Sequence, residues 1–71
     1  MTTALTERQR RVVHLLARGK GRAEIGVELG VAERTVKAYC DSIRAKLGVE
    51  NAREIPAAYR AATHDDPYLE A

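Results

Sequence analysis

The sequence predicts an all-α fold, a compact four-helix helix-turn-helix domain, and three observations carry that expectation. Ala, Leu, Arg and Glu are abundant, Phe and Trp are absent, only three Tyr occur, and both Pro lie after residue 55; this composition favours helix over strand. Gly19, Gly30 and Gly48 each follow a stretch with apolar residues at helical spacing, the pattern of helix C-termini. Between residues 22 and 47 a short helix, a three-residue turn containing Gly and a longer helix follow one another. At 71 residues the chain is one domain, near the lower limit for a core without disulfide or metal support.

The first helix is expected from Glu7 to Arg18. Thr6 supplies an N-cap hydroxyl and Gln9, three residues on, completes a capping box. Its inward stripe is Val12, Val13 and Leu16 with Leu15 at the margin, while Arg8, Arg10, Arg11 and Arg18 face solvent or phosphate. The second helix runs from Arg22 to Leu29 and buries the edge formed by Ile25 and Leu29; Val27 lies off that edge as an exposed contact residue. Gly30-Val31-Ala32 forms the turn, and the third helix covers Glu33 to Leu47.

On this third helix Val36, Cys40, Ile43 and Leu47 recur at i, i+4, i+7 and i+11 and should face the core. The opposite face presents Arg34, Lys37, Ala38, Asp41, Arg44 and Ala45, charges mixed with side chains small enough to admit close backbone approach. Such a face fits a major groove, although an ordinary solvated face has the same composition. The fourth helix is expected between Asn51 and Ala62, with Asn51 and Glu54 at capping-box spacing and Ile55, Ala58, Tyr59 and Ala62 on one stripe. Pro56 would cost that helix a backbone hydrogen bond, which predicts a distorted first turn or a later start.

Charge divides the chain into a helix-turn-helix domain, residues 1–62, and an acidic, flexible tail, residues 63–71. The first carries twelve Lys and Arg against seven Asp and Glu, a net +5; the tail holds Asp65, Asp66 and Glu70 without a Lys or Arg. A basic body suits a polyanionic partner. Enzymatic chemistry has no foothold here. His14, His64 and Cys40 lack metal-ligand spacing, Cys40 sits on the apolar stripe as a small core residue, and Gly19-Lys20-Gly21 lacks the spacing and the Ser or Thr of a phosphate loop. Asp65 and Asp66 read as a solvated tail rather than a cation site. No cofactor is expected. The start lacks an export signal and no apolar run approaches a membrane span, so the chain is read as soluble and cytoplasmic.

From Leu5 to about Ala58 the sequence resembles the DNA-binding domain of LuxR and GerE type transcription regulators. The resemblance rests on Leu5-Thr6-Glu7-Arg8-Gln9, on Glu24-Ile25 with Leu29-Gly30-Val31, and above all on Thr35-Val36-Lys37 followed by Lys46-Leu47-Gly48-Val49 with Asn51 and Glu54 beyond. It implies a third helix that reads the major groove of double-stranded DNA and a fourth that helps form a homodimer on it, with RNA polymerase as a further partner. Residue by residue it implies Lys37, Ala38 and Asp41 toward base edges and Arg34 and Thr35 near the DNA backbone; the solvent face of the third helix adds Arg44 as a phosphate-side cation, and the fourth helix offers Ala58, Tyr59 and Ala62 as dimer contacts. Ala32 and Gly21 occupy positions where the family usually has a Ser cap. Family members often carry a further domain ahead of this module, whereas Met1 to Ala4 alone precede it here, as in a stand-alone regulator or an excised domain. Two rival readings are region 4 of a sigma factor, which uses a similar Thr-Val-Lys segment, and a protein-binding antagonist that borrows the fold.

Overall fold

The computed structural model describes residues 5–63. The tail expected from residue 63 therefore lies, beyond Thr63, outside the described residues. Thr63 itself is the last described residue and belongs to the last helix.

Helix α1 (Glu7–Ala17) begins at the capping box foreseen from Thr6 and Gln9. The Gln9 amide donates to Thr6 Oγ1 at 3.0 Å, and the Thr6 amide donates to Gln9 Oε1 at 2.9 Å. Helix α2 (Arg22–Leu29) starts at Gly21, which has no side chain to offer; Glu24 Oε1 instead accepts from the Gly21 amide at 2.9 Å. Gly30 ends α2 at φ 72°, a left-handed conformation that costs glycine nothing and other residues strain, and the Val31 amide closes back on Gly26 O at 2.9 Å. Helix α3 (Glu33–Leu47) follows at once. Its N-cap, Ala32, makes no side-chain capping bond.

Pro56 acts as anticipated. Ala52–Glu54 form a 3₁₀ turn, and α4 (Ile55–Thr63) begins only at Ile55, which places the proline in the first turn where a missing N–H costs no helical bond. The capping box expected from Asn51 and Glu54 does not form. Asn51 Nδ2 donates to Glu54 Oε2 at 3.2 Å instead, so the two side chains pair with each other rather than with backbone amides.

The core joins all four helices. Val12, Val13, Ile25, Val36, Cys40, Ile43, Ile55 and Tyr59 are buried, with Leu5 sealing one end. Leu15 is buried and Leu16 only half-buried, which reverses their expected order; Leu29, Val31 and Leu47 are likewise half-buried against the core. Of the expected α4 stripe, Ile55 and Tyr59 are buried, Ala58 is half-buried and Ala62 is exposed.

Two features lock α3 in place. Gly26 is buried against the turn, and a Cβ there would meet Val31 O at 2.7 Å, so α2 and α3 pack at a distance that only glycine permits. Gln9 is the buried polar residue among those described, 8% exposed. Its Oε1 accepts from Lys46 Nζ at 2.9 Å as well as from Thr6, and its Nε2 donates to Ser42 Oγ at 3.1 Å. One amide thus ties the start of α1 to the second half of α3. Arg8 adds a bond from Nη1 to Leu29 O at 3.3 Å, linking α1 to the end of α2.

Candidate nucleic-acid interface

Burying Val36, Cys40 and Ile43 determines what α3 shows to solvent. Arg34, Lys37, Ala38, Asp41 and Ala45 are exposed on the far side, and Thr35 and Arg44 are half-buried at its margins. Burial pushes the Cys40 thiol pKa up, which keeps it protonated as a small core group.

The charges on this face are organised around Asp41. Lys37 Nζ lies 3.4 Å from Asp41 Oδ2, one helical turn away, and Arg44 Nη2 pairs with Asp41 Oδ1. Hydrogen bonding from Arg44, with a smaller contribution from Lys37, lowers the Asp41 carboxyl pKa below its ordinary value even though the residue is open to water. Arg44 also donates from Nη1 to Glu50 O at 2.9 Å, which fixes its guanidinium between α3 and the segment leading to α4. The three charged side chains therefore form an oriented row.

Two further cations join that row from outside α3. Lys20 and Arg22, at the start of α2, share a groove of about 440 Å³ with Lys37, Asp41 and Arg44. Arg22 also lines a smaller hollow with Glu33, Arg34 and Lys37. The sequence reading passed over both residues, although a Lys and an Arg flanking the first turn of a helix, where the dipole already favours anions, is a legible signal.

Of the residues expected to meet a second copy, Ala62 is exposed and Ala58 half-buried on α4. Tyr59 must be corrected. It is 2% exposed, with its ring edge-on to His14 at a centroid distance of 6.3 Å, so its side chain belongs to the core of its own chain. A large aromatic in so small a domain is needed to fill space between α1 and α4, a demand that helical spacing alone could not distinguish from a contact role.

Residues 3–58 match the profile of the bacterial regulatory proteins of the luxR family. The chain belongs to the luxR family. Among curated relatives of this luxR-family chain, the transcriptional regulatory protein UhpA of Escherichia coli K12 is 41% identical over 51 residues, 72% of this chain and 26% of the relative. UhpA of Salmonella typhimurium LT2 matches over the same share at the same identity. The luxR-family chain thus spans about a quarter of the length of these relatives. No solved structure gives a significant match. Membership of the luxR family sets aside the sigma-factor reading and places the chain among regulatory proteins rather than in an enzyme class. Among the described residues no helix is long and apolar enough to cross a membrane.

Proposed function

We propose that this chain is a sequence-specific double-stranded DNA-binding transcription regulator that inserts α3 into the major groove. The observation that carries the reading is the single exposed face of α3, where Arg34, Lys37 and Arg44 alternate with Ala38 and Ala45 and are joined by Lys20 and Arg22 of the preceding turn and helix. Alanines admit the helix to the groove and the flanking cations meet phosphates on its walls. Within that arrangement Lys37, Ala38 and Asp41 face base edges, while Arg34, Thr35 and Arg44 serve the backbone. Asp41 acts chiefly by aiming Lys37 and Arg44, since both are already bound to it. Family membership and the likeness to UhpA, a transcriptional regulatory protein, support the same conclusion.

The regulator works as a homodimer on DNA, bringing α4 of two copies together through Ala58 and Ala62 with the exposed Ala57 and Ala61 beside them. Half-sites then lie about one helical turn apart or a multiple of it. RNA polymerase is a further partner, and Val27, 83% exposed on α2, offers it an apolar side chain. A DNA-binding regulator of a bacterial family works in the cytoplasm, without a cofactor.

A titration of the protein with random duplex DNA at low and moderate salt tests the central claim. Phosphate-driven binding is expected at low salt and should fall steeply as salt rises, and Lys37→Ala should weaken it. Absence of binding at low salt, or unchanged affinity in Lys37→Ala, would remove α3 as the reading helix.

A further inference from the structure

We infer that Ser42 and Lys46 form a second phosphate-binding edge on α3, set from behind by Gln9 and turned toward the DNA strand that the row of Lys37, Asp41 and Arg44 does not meet. The inference rests on the major-groove reading and deepens it. A turn of about 100° per residue places Lys46 about 200° round α3 from Arg44, with exposed Ala45 midway between them. Ser42 stands one turn before Lys46 on that edge, and Thr35 two turns before Ser42. A helix with its side chains is about 10 to 12 Å across and the major groove about 12 Å wide, so an inserted helix lies against both walls. Two walls mean two strands. The row of Lys37 and Arg44 serves one, and the opposite edge serves the other.

Gln9 holds the donors of that edge in usable form. Its Nε2 donates to Ser42 Oγ at 3.1 Å, which engages the hydroxyl as an acceptor and leaves its hydrogen to donate outward. Its Oε1 accepts from Lys46 Nζ at 2.9 Å, a bond that uses one of the three ammonium hydrogens and steadies the end of a long, flexible side chain against α1. Ser42 and Lys46 are exposed, whereas Gln9 is buried. The neutrality of the amide matters. Either Glu or Gln at this third helical position completes the capping box with Thr6, but a carboxylate would oppose the Lys46 charge and would accept from the Ser42 hydroxyl. The amide caps α1 and orients both groups without doing either. Steadying Lys46 beforehand also reduces the side-chain entropy lost when it meets a phosphate. Gln9 is thus a positioning residue, and Ser42 and Lys46 make the contacts.

Titrations of the full chain with random duplex DNA over a range of salt test the inference, with thermal melting as the check that each variant is folded. Binding by the parent, and its weakening in Lys37→Ala, report on α3 as the reading helix; a parent that does not bind would sink both readings. With the parent bound, Lys46→Met should lower affinity and make the slope of log affinity against log salt shallower by about 0.9, the value of one phosphate. Ser42→Ala should lower affinity with the slope nearly unchanged, because a hydroxyl carries no charge. Gln9→Glu keeps the cap and should shift the slope as Lys46→Met does, whereas in a Lys46→Met background it should change the slope clearly less. A merely structural Gln9 would move the melting temperature and leave the slope alone. An unchanged slope in Lys46→Met, or a Gln9→Glu effect of equal size in both backgrounds, would overturn the assignment and leave the DNA reading standing.

Discussion

Asp41 holds Lys37 at 3.4 Å and Arg44 more closely, so one carboxylate directs two cations across the exposed face of α3. Replacing it with Asn removes the charge but keeps the shape. Binding-site selection on Asp41→Asn is expected to return the parent motif at altered affinity; a preference that moves from cytosine toward adenine at one position would instead make Asp41 a base reader. The same carboxylate has a pH signature. Its folded-state pKa is lowered by Arg44 and Lys37, so its contribution is present in full above the ordinary carboxyl value and is lost as pH falls through the lowered one. A carboxyl carbon titration by NMR should place Asp41 below an unperturbed Asp. Gly26 is the other residue at which a single atom decides the outcome. A Cβ 2.7 Å from Val31 O forces α2 and the turn apart, and Gly26→Ala should cost about 1 to 3 kcal/mol in urea unfolding. None of this was visible from spacing, which treated position 26 as an ordinary place in a short helix. The order of Leu15 and Leu16 was missed for a related reason: α1 is covered from two sides, by α3 and α4, so its buried arc is wider and differently centred than a one-sided stripe.

The limits of α2 and α3 were legible because Gly30 and Gly48 end helices by adopting positive φ, a requirement that few other residues meet. The start of α4 was legible only as a conflict between Asn51 and Pro56, which the chain resolves with a 3₁₀ turn before Ile55. Two expectations belong to α3 as an element. Ile43 is fully buried where α3 meets the rest of the core, and Ile43→Ala should cost about 2 to 5 kcal/mol, enough to unfold a domain of this size in a thermal melt. An unchanged melting temperature would contradict the packing described. Ala32, in contrast, leaves the helix without a capping side chain while its backbone, at φ −69° and ψ 154°, already has the geometry of a cap. Ala32→Ser should therefore stabilise the domain by about 1 kcal/mol, a rise of roughly 4 to 8 °C in melting temperature.

For the molecule as a whole, the net +5 of residues 1–62 announced a polyanionic partner, but charge counting could not say which surface would meet it. Folding sorts those cations into the row on α2 and α3 and a second set on α1, a division set by which helix faces the core consumes. The dimer proposal is tested at this scale by binding to paired half-sites at varied spacing. Cooperative occupancy is expected when centres are about one turn of DNA apart, and strictly independent binding at every spacing would exclude it. The buried Gln9 amide, which bonds to Thr6, Ser42 and Lys46 at the protein surface, bears on how the domain would be driven. Because one side chain holds both helices, α1 and α3 are coupled there by direct hydrogen bonds. Under the proposed insertion of α3 into the major groove, a force applied to α1 is passed toward the DNA through those bonds.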